Sequence, residues 1–158
     1  MSEYILSTQL RKLLQLSNTV LSAQAQEFAQ EHKDVEISEL VLSGIEHAPR
    51  RFAKWEHLQE FFRVMQTYAA VEKDFFTERE DLEKCASAEE NAKFLASLEK
   101  IAEGLVDKVE EEELVIPWEE EVRRHKQKEI ERLALLMALE FCRHFTDEYK
   151  KQKEKADE

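Results

Sequence analysis

Residues that break helices are almost missing from this chain. Two glycines and two prolines occur among its 158 residues, whereas ordinary usage of these two residue types together is roughly 12 %. Tight turns depend on glycine and proline for backbone angles that other residues avoid. Sandwiches, barrels and doubly wound sheets need many such turns, so the sequence predicts an all-α protein.

The apolar content is large enough for these helices to share a core. Apolar residues make up 42 % of the chain, and its nine Phe, two Trp and three Tyr are more aromatic mass than a disordered segment carries. A mass of 18.7 kDa corresponds to one domain. We therefore expect residues 1–149 to form a single domain, a helical bundle or irregular array of about five helices. Residues 150–158 are predicted to be a charged, frayed tail.

Apolar residues that recur at three- and four-residue steps predict where the helices lie. They place five helices at about residues 3–32, from Asp34 through Ile45, from Pro49 through Phe76, from Ala88 through Val109, and from Pro117 to about Tyr149 or beyond. Ser17 and Gln24 interrupt the apolar seam of the first helix. The third helix is rich in aromatic residues and is predicted to be the centre of the core.

Five polar residues and one proline mark the expected helix boundaries. Asp34 is predicted to cap the second helix. The patterns Thr77-x-x-Glu80 and Ser87-x-x-Glu90 are typical of capping boxes and predict a break between the third and fourth helices. The last helix is the longest expected without a break, and Pro117 suits its first turn.

The net charge of −12 limits the partners that the chain can have. Binding to a phosphate backbone releases counterions only when the protein surface is positive, so we expect no nucleic-acid partner. The longest apolar run, Leu133 to Leu139, is far shorter than the ~18 residues of a membrane span. Glu3 stands where a secretory signal would be basic. We expect a cytoplasmic protein with no membrane partner.

Motifs for cofactors and catalysis are absent from the sequence. It contains no GxGxxG, GxxxxGK[ST], GxSxG or HExxH pattern, and two glycines cannot build a phosphate-binding loop. Cys85 and Cys142 form no CxxC pair that could hold zinc. We expect no cofactor and no metal, and we favour a protein that is not an enzyme.

The last predicted helix carries more apolar residues than one face needs. At 100° per residue, one side holds Leu133, Leu136 and Met137, and Trp118 and Val122 continue that side toward the start of the helix. The opposite side is also apolar, and its members are Leu135, Ala138, Leu139, Cys142 and Phe145. A helix that is apolar all round is surrounded by protein. We predict that the Leu136 side packs inside the chain and that a second copy or another protein covers the Leu135 side. Burial within the chain is the alternative.

This pattern predicts a helical protein–protein interaction module, either a homo-oligomer or a subunit of a larger assembly. The alternative is a small helical hydrolase. Glu140 and His144, four residues apart on an apolar helix, could bind a metal or exchange protons. Arg51 and His57 resemble the Arg-x(4–6)-His pattern of HEPN-type helical ribonucleases, and that resemblance implies that the pair would act on an RNA phosphate.

Overall fold

The computed structural model describes residues 10–112, 114 and 125–157. Across these ranges the chain is all-α, with no strand, so the predicted fold class is confirmed. Its six helices are α1 (residues 10–31), α2 (Glu39–Glu46), α3 (Ala48–Arg51), α4 (Trp55–Glu78), α5 (Leu82–Glu111) and α6 (Lys126–Asp157). Within α1, Ser17–Leu21 form one π-helical turn.

The core lies where α6 meets α1 and α5. The α4 and α5 helices form a hairpin with extensive contacts between them, while α6 packs against both α1 and α5. Phe28, Phe94 and Phe145 meet at the centre, with ring centroids 5.4 to 5.6 Å apart. Buried residues of five helices join one hydrophobic cluster there. The centre of the core is therefore α6 rather than the aromatic-rich helix that the sequence favoured.

The second helix begins later than Asp34 because two distant side chains hold the preceding segment. The hydroxyl of Tyr149 donates to the carbonyl of Val35 and accepts from the amide of Ile37, at 2.8 and 3.3 Å. The amide group of Asn91 binds the backbone of Glu36 and Ser38. These contacts provide hydrogen-bond partners for backbone groups of a segment that is not helical.

Ser38 then caps α2, and its hydroxyl accepts from the amide of Val41 at 3.3 Å. The prediction of Asp34 as the cap is wrong, because the segment that follows it is bound to Tyr149 and Asn91 before the helix begins.

The third predicted helix is two helices. Phe52 and Lys54 adopt extended backbone angles, which separate α3 from α4. This break allows Phe52 to pack against Phe61, with ring centroids 5.3 Å apart. Phe61 in turn fills the space beside Gly44 of α2, where a Cβ atom would lie 2.5 Å from the ring.

The break between α4 and α5 falls where the sequence places it, but neither predicted capping box forms it. Thr77 lies inside α4 and donates to the carbonyl of Lys73, and Ser87 lies inside α5. Asp81 caps α5 instead, accepting from the amide of Lys84 at 3.2 Å. Glu80 between the helices has a φ of 57°.

Residues 150–157 continue α6 as a helix, in the segment that was expected to fray. Lys150 forms an ion pair with Glu46 of α2, and Lys153 forms one with Glu36 at 3.2 Å. These pairs connect the end of α6 to Glu46, the last residue of α2, and to Glu36, which precedes α2. The predicted start of this helix at Pro117 lies outside the described residues.

Candidate functional site

The predicted interaction residues of α6 are covered by the chain itself. Leu135, Ala138, Cys142 and Phe145 have at most 4 % of their surface exposed, and Leu139 is partly buried. Burial raises the pKa of the Cys142 thiol to about 12. The alternative of burial within the chain therefore holds for these residues, and we do not propose them as the interaction surface. The physical reason is that α1, α4 and α5 all pack against α6.

The Leu136 side of α6 is also largely covered by the chain, since Leu133 and Met137 are buried. Leu136 itself is only partly buried, and His144 and Glu140 on the same side are also partly exposed. Trp118 and Val122, which were expected to continue this side, lie outside the described residues. Leu133 and Met137 are buried within the chain as expected, but the chain also buries Leu135, so the expected difference between the two sides is not seen.

Glu140 and His144 meet a third residue, Ser17 of α1. The Ser17 hydroxyl donates to Oε2 of Glu140 at 2.7 Å and lies 3.1 Å from Nε2 of His144. Arg143 also donates to Oε2 of Glu140, at 2.7 Å. We call Ser17, Glu140, Arg143 and His144 the polar cluster. It lies at the π-helical turn of α1, and π-turns are found frequently at functional sites.

One signal for this cluster is present in the sequence, since Ser17 interrupts the apolar seam of the first helix. It did not indicate which residue would lie opposite, because the two positions are separated by 123 residues. Pairing them requires the packing of α1 on α6, and that packing is decided by the whole core.

Electrostatics in the polar cluster keep Glu140 ionised. Burial is the largest single influence and raises the pKa of this carboxyl, but the hydrogen bonds from Ser17 and Arg143 and the nearby positive charge together outweigh it. The net result is a pKa below the ordinary value. Glu140 is therefore a hydrogen-bond acceptor already matched by two donors.

The direction of the hydrogen bonds in the cluster does not suit nucleophilic catalysis. A serine hydroxyl carries one proton, and Ser17 donates it to Glu140. The contact with His144 then has the imidazole N–H donating to the hydroxyl, whereas a general base must accept the proton of its nucleophile. Ser17 is also fully buried, with 0 % of its surface exposed. The arrangement fits a polar link between α1 and α6.

Arg51 and His57 do not share one helix. Arg51 ends α3 and His57 lies in the first turn of α4, with the extended residues Phe52 to Lys54 between them. His57 accepts from the amide of Ala53 through Nδ1 at 3.4 Å, so its ring is engaged at the start of α4. The helical spacing on which the resemblance to HEPN-type ribonucleases depends is therefore interrupted.

Metal ligands are not grouped in the part of the chain that the structure describes. Across residues 10–112, 114 and 125–157, no three His, Cys, Asp or Glu side chains come close enough together to hold an ion. Within the same ranges, no helix has both the length and the apolar content to cross a bilayer.

The α4 helix has an exposed apolar surface, whose residues the sequence pattern had assigned to the core. Val64, Tyr68, Val71 and Phe75 expose 43 %, 47 %, 61 % and 46 % of their surface. They follow one another at steps of four, three and four residues, so they lie along one face of α4 for about 16 Å. We call these four residues the α4 stripe. The buried face of α4 is a separate one, formed by Trp55, Leu58, Phe62 and Ala69.

The α4 stripe borders a groove of about 290 Å³ between α4, the start of α5 and the segment before α2. Tyr68 belongs to both the stripe and the groove, and Met65, Val41 and Ala88 provide apolar walls. Glu72 lies at the groove as well. An apolar stripe beside an open groove can receive a helix that inserts one side chain.

Comparisons of the chain with protein-family models, with curated proteins and with solved structures found no match.

Proposed function

We propose that this protein is a helical protein–protein interaction module and that it binds its partner through the α4 stripe. The observation that carries the proposal is the exposure of Val64, Tyr68, Val71 and Phe75 along one face of a long helix. Single exposed apolar residues are normal on a protein surface, but contiguous ones mark interaction sites.

The spacing of the stripe supports a helical partner. Steps of four and three residues repeat every seven, which is the period of side chains that interlock between two packed helices. Phe61, three residues before Val64, continues the series and is partly buried against Gly44 and Phe52. The same row of side chains therefore packs within the chain at Phe61 and is exposed to solvent along the stripe.

The alternative function, a small hydrolase, has less support. Its two residue pairs are Glu140 with His144 and Arg51 with His57. The first pair is engaged with Ser17 and Arg143, and the second is divided between α3 and α4.

Site-specific photo-crosslinking tests the proposed function. We would replace Val71 with the photoreactive residue p-benzoylphenylalanine, irradiate cells that produce the protein, and determine the mass of any adduct. Leu14 is the matched control, because 53 % of its surface is exposed but it lies on α1. A discrete adduct from position 71 that is absent from position 14 is the expected result.

The proposal also predicts that the adduct depends on the apolar surface. A second change, Val64→Glu, should suppress crosslinking from position 71 without loss of helicity, since Val64 is exposed. Equal adducts from positions 71 and 14, or none from either in a chain that stays monomeric by light scattering, would overturn the proposal.

A further inference from the structure

We infer that the partner of the α4 stripe is a basic amphipathic helix of another protein. This inference rests on the proposed function and specifies the chemistry of the partner. It is based on three observations. Three carboxylates lie beside the stripe, two of them lie near the C-terminal end of α4, and the whole chain has a negative net charge.

Glu72, Asp74 and Glu78 flank the stripe on its two sides. Glu72 is four residues after Tyr68, and Asp74 is three residues after Val71, spacings that make side chains neighbours on a helix surface. Glu78 is three residues after Phe75. In the described part of the chain none of these three carboxylates takes part in an ion pair.

Three of the four basic residues of the same region are in ion pairs. Lys73 pairs with Glu89 of α5 at 3.8 Å, and Arg63 pairs with Glu60. The guanidinium of Arg79 lies 3.5 Å from the centroid of the Phe75 ring, and Lys84 pairs with Asp81 at 4.0 Å. Arg79 is in no ion pair in the described part of the chain, but the three carboxylates outnumber it, so the net unpaired charge beside the stripe is negative.

The end of α4 adds to this negative field. Asp74 and Glu78 lie near the C-terminus of the helix, and no basic residue occurs in its last turn. Carboxylates at this end oppose the helix dipole, whereas cations are stabilised there. Arg79, the residue that follows α4, donates to the carbonyl of Phe75 at 3.4 Å, and Lys or Arg side chains of a docked helix would add positive charge beside Asp74 and Glu78.

A second copy of this chain is a poor occupant for the same reason. Each copy carries a net charge of −12, and pairing two α4 stripes would bring two sets of unpaired carboxylates together. Like charges at a contact weaken association. A partner with apolar residues at a seven-residue period and Lys or Arg on both sides of them satisfies both the stripe and its borders.

The groove beside Tyr68 suits a long basic side chain. Its apolar walls include Met65 and Val41, and its charged lining residues are Glu36, Glu72 and Lys84. Glu36 pairs with Lys153 and Lys84 pairs with Asp81, so Glu72 is the charged lining residue left without an ion pair among the described residues. Lys and Arg bury their methylene stems against apolar surface and keep the charged end at a polar edge. One such residue of the partner would place its stem in the groove and its charge at Glu72.

Two designed peptides of about six helical turns test the inference with the full chain. Both carry the same leucine seam; one has Lys at the flanking positions and the other has Glu. Binding is measured by fluorescence anisotropy over a series of salt concentrations. We expect the basic peptide to bind on the order of tenfold more tightly, which is the combined effect of a few rim ion pairs. The difference should shrink as salt screens it.

Charge reversals locate the effect. Changing Glu72, Asp74 and Glu78 to Lys should abolish the preference for the basic peptide. The matched control changes three other exposed carboxylates to Lys, namely Glu103, Asp107 and Glu154. It has the same net charge as the first variant and should retain the preference. If the two triple variants behave alike, attraction is not local and the inference is overturned.

Val71→Glu separates this inference from the proposed function. We expect it to abolish binding of both peptides while circular dichroism stays unchanged. If both peptides bind equally well and both need Val71, the stripe is an interaction surface but the inference about charge is wrong. If neither binds and wild type forms a dimer that Val71→Glu dissociates, the occupant is a second copy and the inference is wrong. If neither binds and wild type is monomeric, the proposed function fails too.

Discussion

Ser17 of α1 donates its hydroxyl proton to Glu140 of α6 at 2.7 Å, across 123 positions of sequence. Ser17 is fully buried and lies in the π-helical turn of α1, so the bond fixes where α1 rests on α6. Arg143 is a second donor to the same oxygen, so Oε2 of the carboxylate is matched by two donors. The contact is thus a structural link, and its contribution depends on the charge of Glu140.

Ser17→Ala should destabilise the protein in a pH-dependent way. A hydrogen bond to a charged group contributes about 1–3 kcal/mol to the free energy of unfolding. The pKa of Glu140 is lowered in the folded chain from its ordinary value of 4.5, so the carboxylate stabilises the fold above that pH. The contribution is lost as pH falls through the folded pKa.

Urea unfolding of wild type and Ser17→Ala between pH 3 and pH 7 measures this effect. The difference in stability should be full at pH 7 and should shrink below about pH 4.5. Glu140→Gln serves as the control, because Ser17→Ala made in that background should show little dependence on pH. A difference that stays constant over the whole range would mean that Ser17 does not act through the charge of Glu140.

Leu135→Glu and Leu136→Glu should have very different effects although the positions are adjacent. Leu135 is 4 % exposed in the single chain, whereas Leu136 is only partly buried. Burying an unpaired charge costs several kcal/mol, which is a large part of the ~5–15 kcal/mol that stabilises a domain. Leu135→Glu should abolish the cooperative thermal transition, and Leu136→Glu should lower the melting temperature by a few degrees. A folded, cooperative Leu135→Glu variant would show that the chain does not bury this side of α6.

Glu80→Gly should stabilise the protein. The amide of Asp81 bonds to the carbonyl of Phe76 at 3.0 Å, and the amide of Glu80 bonds to that of Thr77 at 3.1 Å. This pair of bonds ends α4 as a Schellman motif, in which the left-handed position is usually glycine. Glu80 occupies it with a φ of 57°. Removing the side chain should raise the free energy of unfolding by about 1 kcal/mol. Glu78→Gly, inside the helix, is the control and should lower it.

The two glycines should respond oppositely to alanine. A Cβ atom at Gly104 meets no atom within 4 Å, whereas one at Gly44 would lie 2.5 Å from Cε2 of Phe61. Gly104→Ala should raise the free energy of unfolding by about 1 kcal/mol, because alanine is the better helix former. Gly44→Ala should lower it by about 1 kcal/mol, since Phe61 must move from Phe52. Chemical unfolding of both variants checks the signs; a stabilising Gly44→Ala would mean that Phe61 adapts without loss.

Much of the fold could be predicted because it depends on local chemistry. The scarcity of glycine and proline and the three- and four-residue steps of apolar residues gave the all-α class and the long last helix. The break between α4 and α5 was also found, although Asp81 rather than Thr77 or Ser87 forms the cap. A cap needs only a side chain of the right type, and several candidates stood close together in the sequence.

The candidate sites could not be predicted with the same success, because exposure is not a local property. On α4, Phe62 and Phe75 have the same side chain and both fit a helical apolar pattern, yet Phe62 is 2 % exposed and Phe75 is 46 % exposed. Leu135 of α6 poses the same problem, because the sequence favoured a partner over its side of the helix and the chain itself buries it. Which face a neighbouring helix covers depends on the arrangement of all six helices.

The sequence by itself determined that this chain forms long amphipathic helices, because helix propensity and periodicity act over a few residues. Only the tertiary structure decided that Ser17 meets Glu140, that Tyr149 holds the segment before α2, and that the α4 stripe stays open. Each of these depends on contacts between residues far apart in the chain. Such contacts form only when the whole core packs, since burying apolar surface on α6 sets the position of every other helix.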